Sequence, residues 1–310
     1  MPVNGAADVF LLKTRDRDFG VKKLLGKFGQ RAFSGKTVAL KANFNSADPF
    51  PASTHPDTLR TIVLALKKAG ATGIILAERS GMGATRRVLD ELGIFELGEK
   101  LGFDVVVIDE LRKADWVAFG RNGTHWLRGF CLAKCFFDAD LVLQTCCLKT
   151  HRFGGHFTLS LKNSVGVAAK RVPGEVYDYM WELHTSPFQR SMIAEINEHF
   201  RVDFVVMDGI RAFVDGGPER GMVVEPNLLL GSRDRVALDA VGVAVLRIYG
   251  AKGHVAKGRV FDQEQIRRAA ELGVGIRSAK DVRLVALNDE CKDDVQKISE
   301  VFAGESSEIA

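Results

Sequence analysis

The feature that most constrains this chain is an alternation of short, unbroken apolar runs with amphipathic helical stretches. Residues 37–42 (Thr-Val-Ala-Leu-Lys-Ala) read as a strand behind the turn signal Ser34-Gly35. A polar, proline-rich loop follows over 43–51. Thr54-His55-Pro56-Asp57 then opens a helix whose Leu59, Ile62, Val63, Leu66 and Ala69 fall at helical spacing, and Gly70 ends it. Residues 73–77 are the next strand, 85–92 a helix and 103–108 a third strand. The run 141–145 is a fourth. Strands that are apolar along their whole length are buried on both faces. The expected fold is therefore α/β, with a mostly parallel sheet and helices on both sides.

The rest of the chain extends this frame. Residues 151–188 are broken by Gly154-Gly155, Gly166 and Pro173-Gly174, and predict an irregular, glycine-rich insertion. Beyond it lie a helix over 192–200, a strand over 204–207 ending at Asp208-Gly209, and a glycine-rich loop over 213–225. A strand over 228–230 follows, then a helix capped by Asp234, a helix over 263–272 and a strand over 282–286. The tail after about 302 reads as polar and frayed. No linker forces a split, so 1–310 is taken as one large α/β domain, with its core at 35–250 and a helix–strand extension at 260–300.

Charge narrows the function. There are 43 Lys and Arg against 39 Asp and Glu, and the basic residues form no stripe, which argues against a nucleic-acid partner. No apolar run approaches the roughly 20 residues of a membrane span. The start, Met-Pro-Val-Asn-Gly-Ala-Ala-Asp, has no secretory pattern, and the five cysteines are an odd number. A cytoplasmic protein with reduced thiols is expected, without a membrane partner.

In open α/β sheets, ligands lie beyond the carboxyl ends of the strands. Here those ends collect the unusual polar residues. Lys41 sits inside an apolar strand, and Asn43 and Asn45 alternate onto its side. Thr54 and His55 stand at a helix start, where free N–H groups favour an anion. Lys149, Thr150 and His151 follow the run 141–145. The segment Thr158-Leu159-Ser160-Leu161-Lys162-Asn163 lacks the charges of an exposed helix, and reads as buried backbone carrying polar heads to a site. Gly216 and Gly217 suggest a backbone nest for an anion. Asp208 at a strand end offers a base.

The predicted ligand is thus a small anionic molecule. It would be held by Lys41, Asn43, Asn45, Thr54, His55, Lys162, Asn163, Gly216 and Gly217, with His151, Asp208 and Lys149 as catalytic groups for redox or proton-transfer chemistry. An alternative is a divalent metal or iron–sulfur cluster on His151, His184, Cys146 and Cys147, serving electron transfer with a redox partner protein. A third is a non-catalytic anion-binding module. The Cys131-x-x-x-Cys135 and Cys146-Cys147 spacing matches neither a zinc knuckle nor a ferredoxin run. Signatures for dinucleotides, P-loops, serine hydrolases and zincins are absent from the sequence.

Several ordered motifs together resemble a known family. They are Leu40-Lys41-Ala42-Asn43, Thr54-His55-Pro56, Cys147-Leu148-Lys149-Thr150-His151, Leu161-Lys162-Asn163-Ser164-Val165-Gly166, Asp208-Gly209-Ile210, Gly216-Gly217-Pro218, and Asp234 with Ala237, Asp239 and Ala240. Over about 35–250 the chain resembles the prokaryotic family known as domain of unknown function 362. The resemblance implies a cytoplasmic protein and brings no established reaction. Many members carry a ferredoxin-like iron–sulfur module, whose cysteine run this sequence lacks. A more distant likeness to nickel-pincer lactate racemases is one of frame alone.

Overall fold

A computed structural model describes residues 5–307. Its centre is one ten-stranded sheet. In chain order the strands and helices are β1 (Ala7–Lys13), α1 (Arg17–Phe28), β2 (Thr37–Lys41), α2 (Pro56–Lys68), β3 (Gly73–Glu78), α3 (Thr85–Glu91), α4 (Ile94–Leu101) and β4 (Asp104–Val107). Next come a small separate hairpin, β5 (Trp116–Phe119) and β6 (Phe130–Ala133), then α5 (Cys135–Asp138), β7 (Leu141–His151), β8 (His156–Thr158), α6 (Ser160–Asn163), α7 (Tyr179–Thr185) and α8 (Gln189–His199). The chain continues through β9 (Phe204–Gly216), β10 (Gly221–Val224), β11 (Leu228–Ser232), α9 (Arg235–Ile248), α10 (Glu264–Glu271), β12 (Val282–Ala286) and α11 (Lys292–Ser307).

Across the main sheet the order is β12-β1-β11-β9-β7-β2-β3-β4, with β10 on β9 and β8 on β7. The run β9, β7, β2, β3 and β4 is parallel, while β11 is antiparallel to both of its neighbours. The mostly parallel α/β frame is present, with an antiparallel interruption.

The strands alternate two apolar faces. Val38, Leu40, Ile74, Leu76, Leu143 and Val206 pack against α1 to α4, whereas Ala39, Ala77, Val142, Cys146, Val205 and Met207 pack against α8 to α10. Both sides of β2, β7 and β9 are therefore dry along most of their length. Each buried Val, Leu or Ile contributes roughly 1.5–3 kcal/mol, which explains why the runs carry no polar alternation.

The structure departs from the sequence expectations at several points. First, β7 continues to His151 rather than stopping at Thr145, because β8 folds back on it and pairs Lys149 with Thr158 and His151 with His156. Second, the strand expected to end at Asp208 runs on to Gly216, and the expected glycine-rich loop is a β9–β10 hairpin. Third, β12 is part of the same sheet: it pairs parallel with β1, a strand that the reading of the sequence passed over. The tail expected to fray after 302 is helical as far as Ser307. Residues 1–4 and 308–310, at the ends of the leader and tail readings, lie outside the described residues.

Candidate functional site

The chain goes from β2 to β3 on one side, while β7 lies on the other side of β2. The carboxyl ends of β2 and β7 therefore flank a switch point, where a crevice opens. A cavity of about 580 Å³ occupies it, within the range of small-molecule sites. It is lined by Lys41, Asn43, Asn45, Lys149, His151, Lys162, Asn163 and His184, all picked out from sequence. Glu78, Arg79, Phe153, Thr158, Gly166 and Pro218 join them.

Each cation is fixed differently. Lys41, only 2% exposed, points its ammonium at both oxygens of Glu78 (2.7 and 2.9 Å) and at the Ala42 carbonyl (2.7 Å). Burial raises the Glu78 carboxyl and lowers the Lys41 ammonium, each opposed by the partner's charge. Gly166 makes room: a Cβ there would stand 2.8 Å from Lys41 Cε and 3.2 Å from the Arg79 carbonyl oxygen. Arg79 donates to the Val165 and Ala168 carbonyls (2.7 and 2.9 Å), and so ties β3 to the segment after α6.

Lys149 is fully buried. Its ammonium donates to Asn43 Oδ1 (2.7 Å), to the Ala52 carbonyl and to the Pro218 carbonyl (3.3 Å). All three N–H bonds go to neutral oxygens, so the charge is held without a direct counter-ion. Asn43 Nδ2 donates to Asn163 Oδ1 (3.1 Å), and Asn163 Nδ2 to the Thr145 carbonyl (3.1 Å). One amide chain thus links the segment after β2 with α6 and β7.

Lys162 is 7% exposed and makes no hydrogen bond or ion pair among the described residues. Burial, then Lys149 and Arg79, lower its ammonium to about 8. Its position comes from below. The carboxylate of Asp239 in α9 accepts from the N–H groups of Ser160 and Leu161 (2.8 and 2.9 Å) and from Ser160 Oγ (2.5 Å), capping the short α6 that carries Lys162. Gly155 leaves space beside it: a Cβ would come within 2.5 Å of Lys162 Cε and 3.0 Å of His151 Nδ1.

His151 Nδ1 and Thr158 Oγ1 are buried with no hydrogen-bond partner among the described residues. Burial, reinforced by Lys162 and Lys149, drives the imidazole of His151 far below its usual range, so it is neutral. His184 Nδ1 meets the Met180 carbonyl oxygen at 2.6 Å. The proton therefore lies on Nδ1, and Nε2 is left as an acceptor. Altogether the cavity walls hold four cationic side chains, Lys41, Arg79, Lys149 and Lys162, against the single carboxylate Glu78.

Other predicted residues lie elsewhere. Asp208 does not face the cavity. Strand alternation turns it toward α1 and α2, where it accepts from Arg17 Nε (2.8 Å) and Thr58 Oγ1 (2.7 Å). His55 caps α2 beside this cluster, with Nδ1 accepting from the Asp57 N–H (3.2 Å). Thr54 braces Asn43 from behind, its Oγ1 accepting from the Asn43 N–H (2.8 Å). Gly216 and Gly217 adopt positive φ, but their N–H groups are taken by Asp215 Oδ1 (2.8 Å) and the Arg220 carbonyl (2.7 Å). The expected nest has no free donors.

Cys146 and Cys147 are adjacent in β7 and do not line the cavity with His151 and His184. Among the described residues no three His, Cys, Asp or Glu side chains are grouped to hold a metal. Burial pushes the thiols of Cys131, Cys135, Cys146 and Cys147 up, Cys135 to about 11 and Cys147 to about 12, which keeps them protonated. Among the described residues Cys146, Cys147, His151 and His184, the ligands expected from sequence, are not brought together as one set.

Glu78 and Arg79 escaped selection as site residues, although they follow an apolar strand just as Lys41 does. Their position at a strand end was the available signal.

The profile of the family described as Domain of unknown function (DUF362) matches residues 38–244, more than half of the chain. The protein named "Thylakoid-associated protein sll1697" from Synechocystis sp. is 27% identical over 229 residues, covering 72% of this chain and 67% of that one. A structure of the lactate racemase apoprotein from Thermoanaerobacterium thermosaccharolyticum aligns over 100% of this chain and 90% of that chain, with 14% identity and a TM-score of 0.44. Among the described residues no helix is long and apolar enough to cross a membrane.

Proposed function

This chain belongs to the domain of unknown function family DUF362, and we propose that it is an enzyme that binds a small anionic substrate in the cavity between β2 and β7. One observation carries this reading: four cationic side chains surround the cavity with one carboxylate among them. Like charges gathered out of water cost free energy unless an anion offsets them. A carboxylate or phosphate supplies that offset.

The groups divide the work. Lys149 and Lys41, saturated by protein oxygens, act as fixed charges that draw in and orient the anion. The reactive end lies at Lys162, His151 and Thr158, where an easily deprotonated ammonium, a neutral imidazole and a hydroxyl have unused hydrogen-bonding capacity. These suit proton transfer. The five free cysteines fit a reducing compartment such as the cytoplasm.

Thermal unfolding in the presence of phosphate, sulfate, acetate and malonate tests the binding. The expected result is saturable stabilisation by at least one anion, lost in Lys149→Met. Absence of saturable stabilisation by any anion, or stabilisation indifferent to Lys149→Met, rejects the site.

A further inference from the structure

Lys162 differs from every other cation in the cavity. Lys41 and Lys149 spend their N–H bonds on protein oxygens, and Arg79 spends its own on carbonyls. The Lys162 ammonium is buried, reaches the cavity and has no hydrogen-bond or ion-pair partner among the described residues. The space beside it is kept open by Gly155, where any Cβ would press on Lys162 Cε and His151 Nδ1. The fold thus presents an amine to the cavity without engaging it, and places fixed positive charge and a neutral imidazole around it.

We propose that Lys162 is a nucleophile that forms an imine with the carbonyl carbon of a small oxo-carboxylate, whose carboxylate answers the surplus positive charge of the same cavity. This deepens the anion-binding reading and rests on it. Two functional groups on one small molecule are needed to satisfy what the cavity offers: an anion for the charge, and an electrophilic carbon for the free amine. An oxo-carboxylate has both, and about 580 Å³ accommodates one.

The step balances within the cavity. The Lys162 nitrogen lone pair attacks the carbonyl carbon. A C–N bond forms, and the C=O π pair moves to oxygen. One proton passes from nitrogen to that oxygen, giving a carbinolamine. His151 and the Thr158 hydroxyl are the groups positioned to relay it. The second nitrogen proton leaves with the hydroxyl as water as the C–O bond breaks and C=N forms. No oxidant or reductant is consumed. The reaction requires an amine that is unprotonated for part of the time near neutrality. Burial and the neighbouring Lys149 and Arg79 provide this, a recognised route to nucleophilic lysines.

Reductive trapping tests the proposal on the wild-type chain. Protein at pH 7.5 is incubated separately with glyoxylate, pyruvate, acetoacetate and 2-oxoglutarate, reduced with borohydride, and analysed by intact mass and peptide mapping. One predominant adduct at Lys162 is expected, absent from Lys162→Arg. Its yield should rise with pH to half-maximum near 8, and not near the 10.5 of an ordinary lysine. Adducts spread over surface lysines without preference overturn the idea. So does the absence of any Lys162 adduct in protein that phosphate still stabilises, and that result leaves the anion-binding reading intact. Protein that no anion stabilises removes both.

Discussion

Replacing Lys162 with methionine should make the ligand-free protein more stable. Methionine keeps most of the apolar stem and removes a charge that no group among the described residues pairs with. The folded chain lowers this ammonium from 10.5 to about 8. At roughly 1.4 kcal/mol for each tenfold change in acidity, folding carries about 3 kcal/mol of penalty at pH 7. The sign follows from proton counting. Below pH 8 both folded and unfolded chains hold the proton, so the penalty is fully present. Between 8 and 10.5 the unfolded chain still holds a proton that the folded chain has released, so wild-type stability rises with pH. Above 10.5 the penalty is gone. Lys162→Met should therefore exceed wild type by about 3 kcal/mol at pH 7, with the gap narrowing steadily above pH 8. Urea unfolding of both proteins between pH 7 and 9.5 measures it. A variant less stable than wild type at pH 7, or a gap that ignores pH, refutes the reasoning.

Three further outcomes can be checked. Glu78→Gln leaves the buried Lys41 ammonium without its carboxylate, and should cost about 3 kcal/mol in urea unfolding, since removing one partner of a buried pair is more damaging than removing both. Asp239→Ala strips the cap from α6 and leaves the N–H groups of Ser160 and Leu161 unpaired. It should cost about 2–4 kcal/mol and weaken anion stabilisation without altering any residue of the cavity wall, which paired urea and thermal-shift measurements separate. In the native protein at pH 8, Cys131, Cys135, Cys146 and Cys147 should react slowly with a thiol-specific disulfide reagent, because burial holds them protonated. All five cysteines should react at once after denaturation.

Local sequence determined the frame. A strand buried on both faces must be apolar throughout, so the runs that became β2, β3 and β7 were legible without coordinates. Lys41, Asn43, Lys149 and Lys162 were also legible, because a lysine or an amide costs too much in an apolar run or a charge-poor segment to stand there idly. Direction was harder. Asp208 belongs to a similar pattern, yet one residue of strand alternation turns it to α1 and α2, and its partner Arg17 lies in a helix no motif announced. The glycines at 216 and 217 suggested free amides, and only the hairpin register showed those amides already bonded.

Tertiary structure alone decided which cations would be satisfied. Lys41 and Lys149 look alike in sequence, each following a leucine near a strand end, and Lys162 likewise follows a leucine in a charge-poor segment. Their difference comes from distant chain: Glu78, Ala52 and Pro218 saturate the first two, while Asp239 and Gly155 hold Lys162 in place and leave its amine open. Hydrogen bonds form over about 3 Å in space, whatever the separation along the chain, and that is why pattern could point to residues of the cavity while only the folded arrangement shows which amine is left unpaired among the described residues.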